Sequence, residues 1–421
     1  MERYKIAGID VHKKMLAVVV TDAAAEGALR YQRRKFATGD SELRALGEWL
    51  QQQEVREVVM ESTAQYWKSV WRQLEPVFKL YLAQAQSNRA PRGRKRDFAD
   101  AERLVRRQIA GELILSFVPG PEQRMWRTLT RTKHQLTGDR VRLQNQLESL
   151  LEDARIKLDS CVSDLLGVSS RRMLKGMAHG ETDPAKLAVM ADKALRATAE
   201  QLQDSLAAAA TMSPLHRQIL QLFLERLELI EQQIEKLDQS IADALKNYHA
   251  AVLRLAEVPG YGADSAQQVI AEVGPEAATF PSGAQLASWV GACPGREESA
   301  EVSKTDRSPK GNRQMRRILT QVAHAAVNTK GSVFQVAFHR LLPRLGFKRA
   351  IWAIVHRLCR LTWKILHQGV RYEERGSRLD PKLVKERERK LIRQLRGLGY
   401  HVQLTPLTAS APTPMSAPAT I

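Results

Sequence analysis

The chain opens with KIAGIDVHKKMLAVVVTD, a run dense in Ile and Val of the kind that forms a buried strand. One position breaks the pattern: Asp10 puts an acid where a strand core is ordinarily apolar. Further along, VREVVMEST and KLYLAQ read as two more short buried strands, with the amphipathic stretch SELRALGEWLQQQ before them. Strands interleaved with a helical period predict an α/β sheet domain over residues 1–125.

The pattern then changes. Over residues 126–250 the period is helical, and Leu220, Phe223, Leu227, Ile230, Ile234, Leu237 and Ile241 step by three and four, as in a coiled-coil seam of about three heptads. Dimerisation and packing within the same chain need the same stripe, so both remain open. A second compact domain, mostly α, follows over 251–370: LAEVPGYGADSAQQVIAEVG sets a Pro-Gly-x-Gly turn between two amphipathic segments, and a polar loop runs into GNRQMRRILTQVAHAAV. Residues 371–421 read as a charged helix, LVKERERKLIRQLRGL, and then a disordered tail of Pro, Ala, Ser and Thr with no core former.

Charge narrows the function classes. With 65 Lys and Arg against 46 Asp and Glu among 421 residues, the chain carries +19, which favours a polyanionic partner, nucleic acid first. No apolar run approaches the roughly 20 residues needed to span a bilayer, and MERYKIAGID lacks a signal-peptide pattern, so a cytoplasmic protein is expected. Cys161, Cys293 and Cys359 are far apart, without the paired spacing of a zinc site or disulfide framework, and read as reduced thiols.

Four acids carry the candidate chemistry. Asp10 lies within the first predicted strand and Glu61 ends another, while Asp97 and Asp100, three apart, share a face at the start of a helical stretch. Carboxylates converging at strand ends are hard oxygen ligands suited to Mg²⁺, and such sites cut phosphodiesters. Taken singly, each acid is better explained by capping or an ion pair; the combination is what points to a metal centre.

In the second domain, the glycines of the PGYG turn, Gly260 and Gly262, resemble a helix-hairpin-helix, whose backbone N–H groups can meet a DNA phosphate. An ordinary tight turn would read the same. Ser299, Ser303 and Ser308 stand beside Lys304, Arg307, Lys310, Arg313, Arg316 and Arg317, a polar loop before a basic helix with phosphate contacts as its obvious use. Pattern alone does not tell which serine, if any, is a nucleophile.

At these residues the chain resembles a family. GIDVHKKMLAVVV, VVMESTAQYW and GRKRDFADAERL are similar to the three acidic motifs of the DEDD transposases of the insertion-sequence 110 family, and GACPGREESA followed by KGNRQMRR to their second block. Ala17 stands where the family often has Asp, Ala64 where a Gly usually follows, and Arg96 where a Thr is common. The resemblance implies an RNase H-like, RuvC-type N-terminal domain and a metal site of Asp10, Glu61, Asp97 and Asp100. It also implies Ser299 as covalent nucleophile, donor and target DNA as substrates, an element-encoded guide RNA, and a dimer or tetramer. A structure-specific endonuclease using activated water, of the Holliday-junction kind, and a non-catalytic nucleic-acid-binding protein are the alternatives.

Overall fold

The computed structural model describes residues 4–23, 29–61, 64–88, 97–192, 195–293, 297–299, 302–305 and 308–374, with isolated positions beyond. The chain divides into two compact units, 1–120 and 121–421. The expected helix and tail after residue 374 lie outside the described residues, apart from isolated helical positions 389, 392, 393 and 396.

The opening apolar run is two strands, β1 (Lys5–Val11) and β2 (Met15–Asp22), paired antiparallel. The polar trio His12, Lys13 and Lys14 makes the turn, where the His12 N–H donates to Met15 O at 3.0 Å. β3 (Gln32–Ala37) follows, then α1 (Asp40–Gln52), β4 (Val55–Glu61), α2 (Trp67–Leu74), β5 (Lys79–Ala83) and α3 (Asp97–Ile109). The sheet order is β3-β2-β1-β4-β5, with β4 parallel to both β1 and β5. A mixed sheet in this order is compatible with an RNase H-like domain.

The period-two alternation of the central strands sends one set of side chains to each face. Ile9, Val11, Leu16 and Val18 pack under α1 and α2 with Leu46, Leu50 and Trp71. Ile6, Val19 and Val59 meet Ala101, Leu104 and Val105 of α3 on the other face. At Gly8 of β1 the approach of α3 is so close that a Cβ would fall 2.5 Å from Ala101 O and 2.6 Å from Val105 Cγ2. Only a glycine lets the helix lie this near the strand, and this contact sets where the first turn of α3 stands.

The second unit is helical: α4 (Pro121–Asp153), α5 (Leu158–Cys161), α6 (Val168–Ala178), α7 (Pro184–Val189), α8 (Ala199–Ser205), α9 (Pro214–Ala244), α10 (His249–Ala256), α11 (Ala263–Val273) and α12 (Gly283–Val290). A hairpin of β6 (Glu297–Ser299) and β7 (Val302–Thr305) precedes α13 (Arg313–Asn328) and α14 (Val333–Gln368). α4 and α9 lie antiparallel, as their cross-links show: Lys133 pairs with Asp238, Arg140 with Glu231 at 3.0 Å and Asp153 with His216 at 2.8 Å. Four positions of the predicted stripe, Leu220, Leu227, Ile230 and Ile241, are buried, while Phe223, Ile234 and Leu237 are half-buried. Leu220, Leu224, Leu227 and Ile230 share a core with Leu143, Leu147 and Leu151, and Ile241 joins a second core formed with α10–α14. Leu224, outside the predicted stripe, is buried more deeply than Phe223. Among the described residues no helix is long and apolar enough to cross a membrane.

Candidate active site

Cross-strand register builds the floor of the site. Asp10, next to last in β1, lies opposite Ala17 of β2, which lies opposite Lys35 of β3. The three therefore share the face covered by α3. Glu61 ends β4, the parallel neighbour of β1, and α3 begins at Asp97. All four acids expected to bind metal lie in the first unit: Asp10 and Asp97 fall in one group with His12, and Asp100 and Glu61 are near enough to act on the Asp10 carboxyl.

Two short chains of contacts hold them. In one, His12 Nε2 donates to Asp10 Oδ2 at 3.0 Å and lies 3.9 Å from Asp97 Oδ1, while Lys35 Nζ donates to Asp97 Oδ2 at 3.1 Å. In the other, Asn88 Nδ2 donates to Glu61 Oε2 at 2.8 Å, Arg103 Nε donates to Asn88 Oδ1 at 3.2 Å, and Arg103 pairs with Asp100. Asp10 is only 8 % exposed. Burial pushes its carboxyl up from its ordinary value; the His12 ring counters this, and the nearby Asp100 and Glu61 carboxylates add to it. An acidic site with this deficit of positive charge suits a hard cation, and one ligand atom each from Asp10, His12 and Asp97 lie within 4.8 Å of one another.

His12 and Lys35 were not singled out by the sequence. His12 carried a signal, since it follows the anomalous acid by two residues at a turn. Lys35 carried none, because β3, with the sequence QRRKFA, lacks an apolar alternation.

The second unit places the remaining candidates. Ser299 ends β6 with its backbone opposite Val302, and Lys304 lies in β7; their side chains are outside the described residues, as is Arg307. Ser308 is pinned: its hydroxyl accepts from Trp352 Nε1 at 2.7 Å and donates to Gly291 O at 2.6 Å. Lys310 and Arg313 are exposed. Arg316 donates to Gly291 O and Pro309 O, both at 3.1 Å, and stacks 4.3 Å from the centre of the Trp352 ring. Arg317 donates to Gln268 Oε1 at 2.7 Å, and burial lowers its pKa.

The PGYG turn joins α10 to α11. A Cβ on Gly260, at φ 88°, would lie 2.3 Å from Val322 O of α13, so this glycine packs helix on helix. Gly262 is exposed at the start of α11, and its N–H donates to Ser265 Oγ at 2.9 Å. Behind α13, Glu272, 1 % exposed, accepts a fork from Arg131 at 2.8 and 2.9 Å, pairs with Arg127 at 3.4 Å and accepts from Asn312 Nδ2 at 3.3 Å. Asn312 caps α13 through the Met315 N–H.

Comparison with known families agrees with both halves. A transposase model for the DEDD enzymes of IS110 matches residues 7–156, and one described as Transposase IS116/IS110/IS902 family matches residues 252–338; together they cover more than half of the chain. The chain belongs to the IS110 family of transposases. No curated protein matches it significantly. An IS110 transposase cuts and recombines DNA, and the family's acids imply a divalent metal. The first match spans Asp10, Glu61, Asp97 and Asp100, and the second spans Ser299 and the basic start of α13.

Proposed function

We propose that this transposase cleaves and exchanges DNA strands at an Mg²⁺ centre held by Asp10, Glu61, Asp97 and Asp100, with Ser299 as nucleophile. The convergence of the four acids at one end of the first unit's sheet carries the proposal. Bound there, Mg²⁺ would polarise the scissile phosphate and stabilise the leaving oxygen. Asp10 anchors the centre from β1, Glu61 from β4, and Asp97 and Asp100 from α3. Lys35 and Arg103 balance carboxylate charge while holding Asp97 and Asp100 in place. Ser299 Oγ attacks phosphorus: an Oγ–P bond forms as the P–O bond to the leaving deoxyribose oxygen breaks, the hydroxyl gives up its proton, and the leaving oxygen gains one, so the step is proton-neutral. Attack by the hydroxyl of another strand then releases the serine and joins the strands.

Lys304, Lys310, Arg313, Arg316 and Arg317, with Gly260 and Gly262 of the hairpin turn, form the proposed nucleic-acid contacts. The exposure of Lys310 and Arg313 supports direct phosphate contact, and the interior bonds of Arg316 and Arg317 support a role in shaping the surface. An element-encoded guide RNA would suit the +19 charge. Exposed Leu215, Leu222 and Leu229, seven apart on α9, support a dimer or tetramer. The whole assembly is proposed to act in the cytoplasm.

A second reading, a water-using junction endonuclease, draws on the fact that all four candidate acids lie in the first unit. The deciding experiment incubates protein, flanking RNA and supercoiled donor and target DNA with Mg²⁺. Asp10→Ala is expected to reduce cleavage about 10³-fold, the scale of several kcal/mol of charge stabilisation. Ser299→Ala is expected to abolish both exchange and a denaturation-resistant protein–DNA adduct. Normal cleavage by Ser299→Ala would install the endonuclease reading instead.

A further inference from the structure

Between Arg307 and Tyr372 the chain contains no Asp or Glu, yet it carries fourteen Lys and Arg, counting Arg307. Half of them, Arg340, Arg344, Lys348, Arg349, Arg357, Arg360 and Lys364, are on α14, all past the last residue matched by the family model. None of Arg340, Arg344, Lys348, Arg349 or Arg357 has an ion-pair partner among the described residues, and all five are exposed. Burial lowers the pKa of Arg357, and the neighbouring Arg340 charge lowers it further, the mark of cations gathered without an anion.

The helix also breaks in this region. Pro343 lies inside α14, and Gly346, at φ 72° and ψ 167°, leaves helical geometry altogether. The next residue is Phe347, 54 % exposed, an unusual placement for an aromatic side chain within a helix. Its ring is not loose. Phe338 meets it edge-on with centroids 5.6 Å apart at 85°, and His324 lies 5.7 Å away at 30°. A supported, exposed ring with cations before and after it along α14 has the composition of a stacking platform: the ring takes the face of a base and the cations take the flanking phosphates.

We propose that the break in α14 is a binding site for single-stranded nucleic acid, an unpaired base stacking on Phe347 while Arg340, Arg344, Lys348 and Arg349 hold its phosphates. A duplex hides its base faces within its own stack, so the ring gains nothing from intact double helix. Strand exchange by a transposase opens such bases, and in this respect the inference rests on the family's action on DNA.

The test uses the full-length chain and fluorescent 12-nucleotide oligomers of deoxythymidine and of uridine, with a 12-base-pair duplex as the contrast, read by anisotropy at one salt concentration. Phe347→Ala is expected to weaken single-strand binding about tenfold, the scale of one lost base stack, and duplex binding less than about twofold; Phe347→Trp is expected to retain both. A stronger effect on the uridine arm assigns the site to RNA, on the deoxythymidine arm to DNA, and either supports it. Ultraviolet crosslinking of an oligomer carrying 5-iododeoxyuridine should label the peptide that contains Phe347, a readout that stands even if Phe347→Ala fails to fold. Wild-type affinity in Phe347→Ala, equal losses on single strand and duplex, or a crosslink confined to other peptides would overturn the proposal. Asp10→Ala runs alongside: if it loses cleavage while Phe347→Ala binds normally, this inference fails and the transposase chemistry stands.

Discussion

Asp10 is held where an isolated carboxylate is costly, buried in the sheet with two other acids near enough to raise its pKa. His12 donates to it but does not remove the excess of negative charge, which is what makes the cluster suited to a cation. Burial acts in the same sense on residues with no part in the chemistry. Cys359 is fully buried, its thiol pushed up to about 12, and the buried Tyr261 phenol, bonded to Thr362 Oγ1 at 2.7 Å, is raised as well. The folded state favours the neutral form of both groups. Their contribution to stability is therefore complete below the unfolded thiol value of 9.0 and is lost as pH rises toward the folded value. At about pH 10.5 the thiol alone should cost about 2 kcal/mol of unfolding free energy relative to neutral pH. Urea unfolding at the two pH values checks this, and Cys359→Ala should remove that part of the decline. In the native protein at about pH 8, iodoacetamide should alkylate Cys161 and Cys293, which are partly exposed, and leave Cys359 untouched.

At the scale of elements, the distance between α3 and β1 decides whether Asp97 and Asp100 can serve the same centre as Asp10. Gly8→Ala places a methyl against the Ala101 carbonyl, which belongs to backbone and cannot swing aside. It is expected to destabilise the first unit by about 1–3 kcal/mol, as overpacking does, and to weaken Mn²⁺ binding measured by calorimetry; unchanged binding would show that the acids tolerate a displaced helix. Asp10 stood out in the sequence as a charge inside an Ile- and Val-rich run, whereas Glu61, Asp97 and Asp100 stood out only in combination with it. The framework around them was less legible. The apolar run hid a hairpin whose turn is marked only by His12, Lys13 and Lys14. β3 was invisible because it is an edge strand whose Arg33 and Lys35 pair with Glu102 and Asp97 of α3 instead of filling a core. The Glu272 node was invisible for another reason: QVIAEVG reads as any amphipathic helix, and the partners Arg127 and Arg131 lie more than 140 residues earlier. Glu272→Ala removes the carboxylate that Arg127 and Arg131 share and frees the cap residue Asn312. A loss of about 3 kcal/mol is expected in denaturant unfolding, as for other broken buried pairs; a near-neutral result would mean that the fork to Arg131 contributes little beyond its own desolvation.

At the scale of the whole molecule, the division of labour between the two units becomes testable. The first unit owns two apolar layers, one beneath α1 and α2 and one beneath α3, and every residue of both layers falls within residues 4–118. It also owns all four acids, while Ser299, the proposed nucleophile, and the α13 cations fall in the second. A core that closes on itself is the physical requirement for independent folding, and about 120 residues suffice for one. The fragment 1–120 is therefore expected to unfold in a single cooperative transition and to bind Mn²⁺ within about threefold of the full chain's affinity, three-fold being about 0.65 kcal/mol. The same fragment should form no denaturation-resistant adduct with DNA, since it lacks Ser299. Calorimetry and an electrophoretic adduct assay on the same preparation separate the outcomes. Metal binding without an adduct fits a metal centre assembled by the first unit alone. A folded fragment that binds no metal would mean the acids need the rest of the chain. An adduct formed by the fragment would move the nucleophile into the first unit and remove Ser299 from the mechanism.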